Sequence, residues 1–178
     1  MRVIAGTHRG RKLQAPDTAD TRPVMDRVKE SLFSSIAAEV PGAAVLDLYA
    51  GAGSFGIEAL SRGADSAVFV ESGRAALAAL RANLATLGLD AQVVAGPVER
   101  FVDTDERRFD LVFCDPPWPL GSDAVAAVLS RLVPRLDPDT TVIVTRRTGD
   151  TPPEPAGLRI DDVRAHGDTT IIRYVMDQ

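Results

Sequence analysis

From residue 43 onward, apolar runs that suit strands alternate with segments that suit helices. Five short runs show no polar alternation, which is typical of parallel strands buried on both faces. They cover residues 44–49, 66–71, 91–95, 109–114 and 140–146. Helical patterns at 75–87 and 121–133 lie between them, and strands at 158–164 and 169–176 form a closing hairpin. The order predicts an α/β fold with a doubly wound, mostly parallel seven-stranded sheet and helices on both faces.

The first forty residues predict an extension to this sheet. Residues 2–5 and 11–14 flank the turn-like GTHRG and indicate a β-hairpin. Pro23 suits the first position of a helix. Apolar residues then recur at a spacing of four, with Val28 and Leu32 among them, so we expect a core-facing helix that ends near Pro41-Gly42.

Charge and composition narrow the class of protein. A chain of 178 residues can bury a real core, and its net charge is −5. Residues 1–30 nevertheless carry seven basic and four acidic side chains, so a basic arm on an acidic body could follow phosphates; a merely solvated face is the alternative. The single Cys114 and two histidines argue against a disulfide or a metal centre. Without an apolar span or secretory signal, we expect a cytoplasmic protein.

A glycine-rich turn follows the first strand of the sheet. Gly51 opens the sequence GAGSFG, which matches the GxGxxG pattern, and Glu71 lies twenty residues later at the end of the second strand. That arrangement is typical of a dinucleotide site. A nicotinamide or flavin cofactor is therefore one alternative for this turn.

Asp47 favours a different cofactor. It interrupts the apolar run VLDLY, where a carboxylate is costly without partners, and a nearby pyrophosphate would add repulsion. S-adenosylmethionine carries an ammonium and a sulfonium and no phosphate, so it suits this acid. Glycine lets the backbone approach the ligand, and Glu71 would accept hydrogen bonds from the ribose hydroxyls. A buried, water-bridged Asp47 without a ligand is the structural alternative.

A second turn, Asp115-Pro116-Pro117-Trp118, follows the strand at 109–114. In a doubly wound sheet this turn lies beside the first one. The two prolines have no N–H, so the Asp115 carboxylate and the Pro116 carbonyl form a pocket of acceptors that suits an amino group. Such contacts would position the amine and stabilise positive charge on its nitrogen, while Trp118 offers a face for an unstacked base.

Cys114 could be a nucleophile for methylation of a pyrimidine carbon. Side chains alternate along a strand, however, so Cys114 faces away from the cleft if Asp115 faces it. We therefore expect a core cysteine, since nitrogen methylation needs no covalent nucleophile.

With both turns present, the chain resembles the class I S-adenosylmethionine-dependent methyltransferases, and within them the RsmD family. Those bacterial enzymes methylate N2 of a guanine in 16S rRNA of the small ribosomal subunit. The resemblance is carried by RVIAGTHRGRKLQAP, by Thr21-Arg22-Pro23 with the following DRVKESLF, by VLDLYAGAGSFGIEALSRGA, by DPPW and by Gly167-Asp168-Thr169.

The resemblance implies roles for individual residues and for two parts of the chain. Residues 1–40 would form an RNA-facing extension and residues 41–178 the methyltransferase domain. The cofactor would contact Asp47, Tyr49, Gly51, Gly53, Glu71, Ser72, Pro97, Val98 and Asp115. The target guanine would contact Asp115, Pro116, Pro117 and Trp118, and the RNA His8, Arg9, Arg11, Lys12 and Arg22.

The chain departs from the family where adenine is bound. Ala95-Gly96-Pro97-Val98 offers no polar side chain for the adenine edge, so the Val98 N–H is the expected substitute. The expected partner is 16S rRNA within an assembling subunit, bound by a monomer without metal. The alternatives are methylation of adenine N6 in DNA or of a glutamine amide in protein, and a non-catalytic assembly factor that retains the fold.

Overall fold

The computed structural model describes residues 1–15 and 26–177. Its sheet has seven strands in the order β3-β2-β1-β4-β5-β7-β6. Strands β1 to β5 are parallel, and β7 is antiparallel to both β5 and β6. The predicted mostly parallel seven-stranded sheet is confirmed. The strands are β1 (Ala44–Leu48), β2 (Ser66–Glu71), β3 (Gln92–Ala95), β4 (Phe109–Cys114), β5 (Leu136–Arg147), β6 (Leu158–His166) and β7 (Thr169–Met176).

Five helices cover the two faces of the sheet. They are α1 (Asp26–Ser35), α2 (Ser54–Ser61), α3 (Arg74–Leu87), α4 (Val98–Thr104) and α5 (Ser122–Leu132). Alternate strand residues divide between two cores. Helices α1, α2 and α3 pack on the face that contains Val45, Phe113 and Ile143. Helices α4 and α5 pack on the opposite face.

Helix α1 ends earlier than the sequence pattern predicts. Pro23 and Val24 lie outside the described residues, and the helix ends at Ser35 rather than near Pro41. The hydroxyls of Ser34 and Ser35 donate to the carbonyls of Glu30 and Leu32, at 2.7 Å in both cases. Side chains that bond to the preceding turn compete with the helical ladder, which explains the early end.

Two strands also differ from the prediction. Strand β3 is partly exposed because it forms an edge of the sheet, whereas burial on both faces was expected. Strand β5 begins at Leu136 rather than at residue 140, since Leu136 pairs with Phe109 before the register shifts. The N-terminal hairpin has one bridge, between Arg2 and Lys12, and is also joined by hydrogen bonds from the Val3 N–H to the Arg11 carbonyl and from the Gly10 N–H to the Val3 carbonyl, both at 2.9 Å.

Three buried polar side chains fasten this hairpin to α2 and α3. The Glu58 carboxylate accepts the N–H groups of Ile4 at 2.8 Å and of Ala5 at 3.0 Å. Ser61 Oγ accepts the N–H of His8 at 3.0 Å and donates to the Ala5 carbonyl at 2.6 Å. Asn83 forms the third attachment, described below. Since Val3 and Leu13 also belong to the core that contains Val45, the hairpin and the sheet share one core.

Candidate active site

The glycine-rich turn connects β1 to α2 at the carboxyl edge of the sheet. Gly51 and Gly53 adopt positive φ angles of 57° and 87°. A Cβ on Gly53 would lie 2.5 Å from Leu80 Cδ1, whereas a Cβ on Gly51 would meet no atom within 4 Å. Tyr49 has φ of 57°, a left-handed conformation that is unusual for a residue with a side chain. The backbone of Gly51 therefore borders open space.

Asp47 is a buried carboxylate with incomplete hydrogen bonding. Its side chain is 1% exposed, and Oδ2 accepts the Gly56 N–H at 2.9 Å. Among the residues that the structure describes, Oδ1 has no partner. Burial raises the pKa of Asp47 well above its usual value, and the charges of Asp115 and Glu71 raise it further. A cation bound beside this carboxyl would oppose these effects and favour its ionised form.

Helix α2 reaches Asp47 because residue 56 has no side chain. A Cβ on Gly56 would lie 2.3 Å from Phe69 Cε1 and 3.1 Å from Asp47 Oδ2. At the start of the same helix, Phe55 stacks on Phe113 of β4, with 5.3 Å between the ring centroids. These contacts fix the turn against the two central strands.

Glu71 closes the turn from the end of β2. Its Oε2 accepts the Gly51 N–H at 2.8 Å, and Oε1 accepts the N–H groups of Ser72 at 2.9 Å and Gly73 at 2.6 Å. A carboxylate offers about four acceptor positions. A ribose hydroxyl can therefore join at Oε2, while a second hydroxyl requires Glu71 to release one backbone N–H.

Asp115 follows β4 and is held from the neighbouring strand. The Thr145 hydroxyl donates to Asp115 Oδ1, and the Asp115 N–H donates to the Leu48 carbonyl at 3.2 Å. Thr145 lies on β5 and is 4% exposed. This bond orients the carboxylate that the sequence assigns to the target amine. Sequence reasoning missed Thr145, although a threonine near the end of a buried strand beside β4 is a usable signal.

Trp118 lies at the far end of the same turn. The guanidinium carbon of Arg147 lies 5.4 Å from the centroid of its ring. Leu120 donates to the Pro117 carbonyl at 2.9 Å, which closes the turn. The tryptophan ring is thus fixed beside the end of β5, and Arg147 is a second residue that the sequence analysis did not assign.

Cys114 points away from this cleft, as the alternation predicts. It is 1% exposed and belongs to the core on the α4 and α5 face. Burial raises the pKa of the Cys114 thiol, and the Asp115 charge raises it further. Its burial on the face away from the cleft, together with this shift, argues against a nucleophilic role.

The segment expected to hold adenine lies between β3 and α4. Val98 begins α4, so its N–H is one of the first amides of a helix and has no partner within that helix. Pro97 precedes it in an extended conformation and is exposed. Glu99, one residue further on, accepts the Tyr49 hydroxyl at 3.3 Å, which connects this segment to the first turn.

The basic residues of the hairpin lie apart from these turns. The N–H groups of Thr7 and His8 donate to Ser61 O and Oγ, at the end of α2 remote from the glycine-rich turn. Seven residues of helix separate Ser61 from Ser54, which is about 10 Å. Arg9, Arg11 and Lys12 are exposed, Arg11 donates to the Thr86 carbonyl near the end of α3 at 3.4 Å, and Arg22 lies outside the described residues.

Asn83 connects the hairpin to the first turn. Its side-chain amide donates to the carbonyls of Gln14 and Ala52, both at 3.0 Å, and its oxygen accepts the Gln14 N–H at 2.8 Å. Asn83 is 2% exposed. A polar residue on the buried stripe of an alanine- and leucine-rich helix was the signal that the sequence analysis did not use.

Comparison with known proteins identifies the family. The model of the family described as "Conserved hypothetical protein 95" matches residues 1–175. The chain belongs to that family, the RsmD family. It is 43% identical over 122 residues to the Ribosomal RNA small subunit methyltransferase D of Escherichia coli (strain K12), a match that covers 68% of this chain and 62% of that protein.

Solved structures agree with this assignment. One is titled "Putative methyltransferase yhhF from Escherichia coli"; it is 33% identical, with a TM-score of 0.87, and the match covers 99% of this chain and 98% of that one. A hypothetical protein of Thermus thermophilus is 29% identical, with a TM-score of 0.84 and coverage of 97% and 98%. The predicted class I methyltransferase fold and family are confirmed, and a methyltransferase family implies a methyl donor as cofactor. Among the described helices, none is long and apolar enough to cross a membrane.

Proposed function

We propose that the protein transfers a methyl group from S-adenosylmethionine to the exocyclic N2 of a guanine in 16S rRNA. Asp47, Glu71 and Asp115 meet at the ends of three neighbouring strands, and the buried Asp47 Oδ1 is unpartnered among the described residues. This cluster of carboxylates is the observation that carries the proposal. It suits a cofactor with two positive charges and opposes a pyrophosphate.

The first turn, the end of β2 and the start of α4 would hold the cofactor. Asp47 and the open backbone at Gly51 would contact the methionine part, Glu71 the ribose, and the Val98 N–H the adenine edge. Tyr49, Gly53, Ser72 and Pro97 would complete the walls. When bound, S-adenosylmethionine supplies an electrophilic methyl group.

The second turn would present the nucleophile. The Asp115 carboxylate and the Pro116 carbonyl would accept the two hydrogens of the guanine amine and direct its nitrogen toward the methyl group. Thr145 would keep the carboxylate in that orientation, and Trp118 would stack on the base. Positive charge that develops on nitrogen would be stabilised by Asp115, which is a contribution from positioning and electrostatics.

RNA contacts outside the pocket would come from the hairpin. His8, Arg9, Arg11, Lys12 and Arg22 are the proposed contacts. Because the hairpin is held at the end of α2 remote from the glycine-rich turn, RNA would extend beyond the target nucleotide to reach them. A structured substrate, such as a partly assembled small subunit, fits the separation between the hairpin and the pocket. The protein would bind it as a monomer in the cytoplasm. The division into an RNA-facing extension (1–40) and a methyltransferase domain (41–178) is part of the same proposal.

Incubation with methyl-labelled S-adenosylmethionine and unmodified small subunits tests the proposal. N2-methylguanosine in the 16S rRNA is the expected product, and Asp115→Asn should abolish it while cofactor affinity changes only a few-fold. Asp139→Asn removes an exposed charge from the opposite end of β5 and serves as the control. Label in protein would favour the glutamine amide, and label in DNA supplied as a separate acceptor would favour adenine N6; no label in any of these acceptors would favour an assembly factor.

A further inference from the structure

Arg147 ends β5 beside the candidate pocket, and its side chain is exposed. Its guanidinium lies over the Trp118 ring, at 5.4 Å from the centroid, which is within the range of a cation–π contact. The adjacent Arg146 pairs with Asp150 at 3.2 Å, and Arg173 pairs with Glu39 at 3.0 Å. Within the described part of the chain Arg147 forms no such ion pair, so no described acid neutralises its charge.

The strand geometry places Arg147 on the reactive side of the turn. Thr145 and Arg147 are two residues apart, so their side chains leave β5 on the same face. Thr145 contacts Asp115 and Arg147 contacts Trp118. Arg147 therefore approaches the ring from the side of β5 that also contacts the Asp115 carboxylate, and we take the covered face as the one on which a base presented to that carboxylate would stack.

A base and the guanidinium cannot occupy this face together. A base stacked on this face would take the space over the ring that the guanidinium covers in the free protein. Stacking of a base on an aromatic ring is the stronger of the two contacts. A nucleotide that enters also brings phosphates, which are better partners for a guanidinium than the ring is.

We propose that Arg147 covers the base-stacking face of Trp118 in the free protein and moves to a phosphate beside the target nucleotide when RNA binds. This proposal rests on the proposed function, since it takes the base pocket as given. It assigns to Arg147 two successive roles: it keeps the ring covered while RNA is absent, and it then contributes one backbone contact to the complex.

The fluorescence of Trp118 reports on this exchange, because the chain contains one tryptophan. The probe is a single-stranded RNA octamer with one guanine. Emission of the free proteins should differ between wild type and Arg147→Ala, and emission of the RNA-saturated proteins should coincide. Saturated spectra that differ as much as the free ones would show that Arg147 stays on the ring, and no RNA-induced change in the wild type would show that no base stacks there. Either result overturns the proposal.

Salt dependence of octamer binding measures the phosphate contact. Arg147→Ala should reduce the slope of log Kd against log salt by about 0.7, the value for one contact to a single strand. Arg147→Lys should keep the wild-type slope while its free emission resembles that of the alanine variant. Arg159→Ala removes an exposed charge from β6, at the end of the sheet remote from Arg147. It should change neither the salt slope nor the emission of the free protein. An unchanged slope in Arg147→Ala would refute the phosphate contact.

Methylation of small subunits separates this proposal from the proposed function. If wild-type protein methylates no guanine but the spectra and slopes behave as expected, the reaction or substrate is wrong and the role of Arg147 stands. If methylation occurs and the slopes of wild type and Arg147→Ala are equal, only the role of Arg147 is wrong.

Discussion

Replacing Glu58 with alanine is expected to detach the N-terminal hairpin while the glycine-rich turn stays folded. The carboxylate is fully buried and accepts the N–H groups of Ile4 and Ala5. Lys29 Nζ lies 3.5 Å from Glu58 Oε2, and its side chain is also fully buried. Alanine removes the carboxylate but leaves the ammonium and both N–H groups inside the protein.

The contacts give the magnitude of this effect. Removing one partner of a buried ion pair costs about 3–5 kcal/mol. Each N–H group that loses its acceptor adds about 1–3 kcal/mol. The pKa of Lys29 is already lowered by burial, and the Glu58 charge is what opposes that shift. Loss of Glu58 removes two of the hydrogen bonds that hold the hairpin to α2, so we expect the hairpin to separate and let water reach these groups before the sheet unfolds.

Hydrogen exchange of the Ile4 and Ala5 amides measures the separation. In Glu58→Ala both amides should exchange at least a hundredfold faster, while the amides of β1 remain protected. Affinity for S-adenosylmethionine should change only a few-fold, and affinity for RNA should fall. Glu106→Ala changes an exposed acid and is the control, for which a change within about 0.5 kcal/mol is expected. Unchanged exchange at Ile4 and Ala5 would refute the reasoning.

Four further perturbations test the site. Thr145→Val should lower the single-turnover methylation rate about 10- to 150-fold, the worth of a hydrogen bond to a charged group, while Thr145→Ser restores it; equal rates would remove Thr145 from the mechanism. Asp47→Asn should weaken binding of S-adenosylmethionine in calorimetry. The pKa of Asp47 is raised in the folded protein. Without cofactor, the wild type should therefore lose stability as the pH rises from the usual pKa of 3.8 through the folded pKa. Urea midpoints of Asp47→Asn should not show this loss. Gly56→Ala should destabilise by about 1–3 kcal/mol in thermal unfolding, unlike Gly96→Ala, where a Cβ would meet no atom within 4 Å. Reversing the charges of Arg9, Arg11 and Lys12 should weaken RNA binding and flatten its salt dependence; an unchanged slope would mean a solvated surface.

The sheet was predictable because its signals are local. Each buried parallel strand is a short apolar run, and the acids at the ends of β1, β2 and β4 must meet at one edge once the strands are parallel. The position of Cys114 followed from alternation alone. The predicted end of α1 was wrong because the spacing of apolar residues takes no account of the serine hydroxyls, which compete for the backbone carbonyls.

The polar partners were not predictable in the same way. Thr145 is thirty residues from Asp115, and Glu58 is more than fifty from Ile4. Such pairs depend on how helices and strands dock, and a single sequence does not encode that in its periodicity. Side chains that join distant segments were therefore missed, while residues within a motif were found.

The amide of Asn83 touches both Gln14 and Ala52, so a displacement of either segment strains the contact with the other. Thermodynamic reciprocity then applies: whatever factor a bound polynucleotide imposes on affinity for the methyl donor, the donor must impose in return. Cooperativity between the two substrates, of either sign, would then be transmitted through the side chain of one buried asparagine.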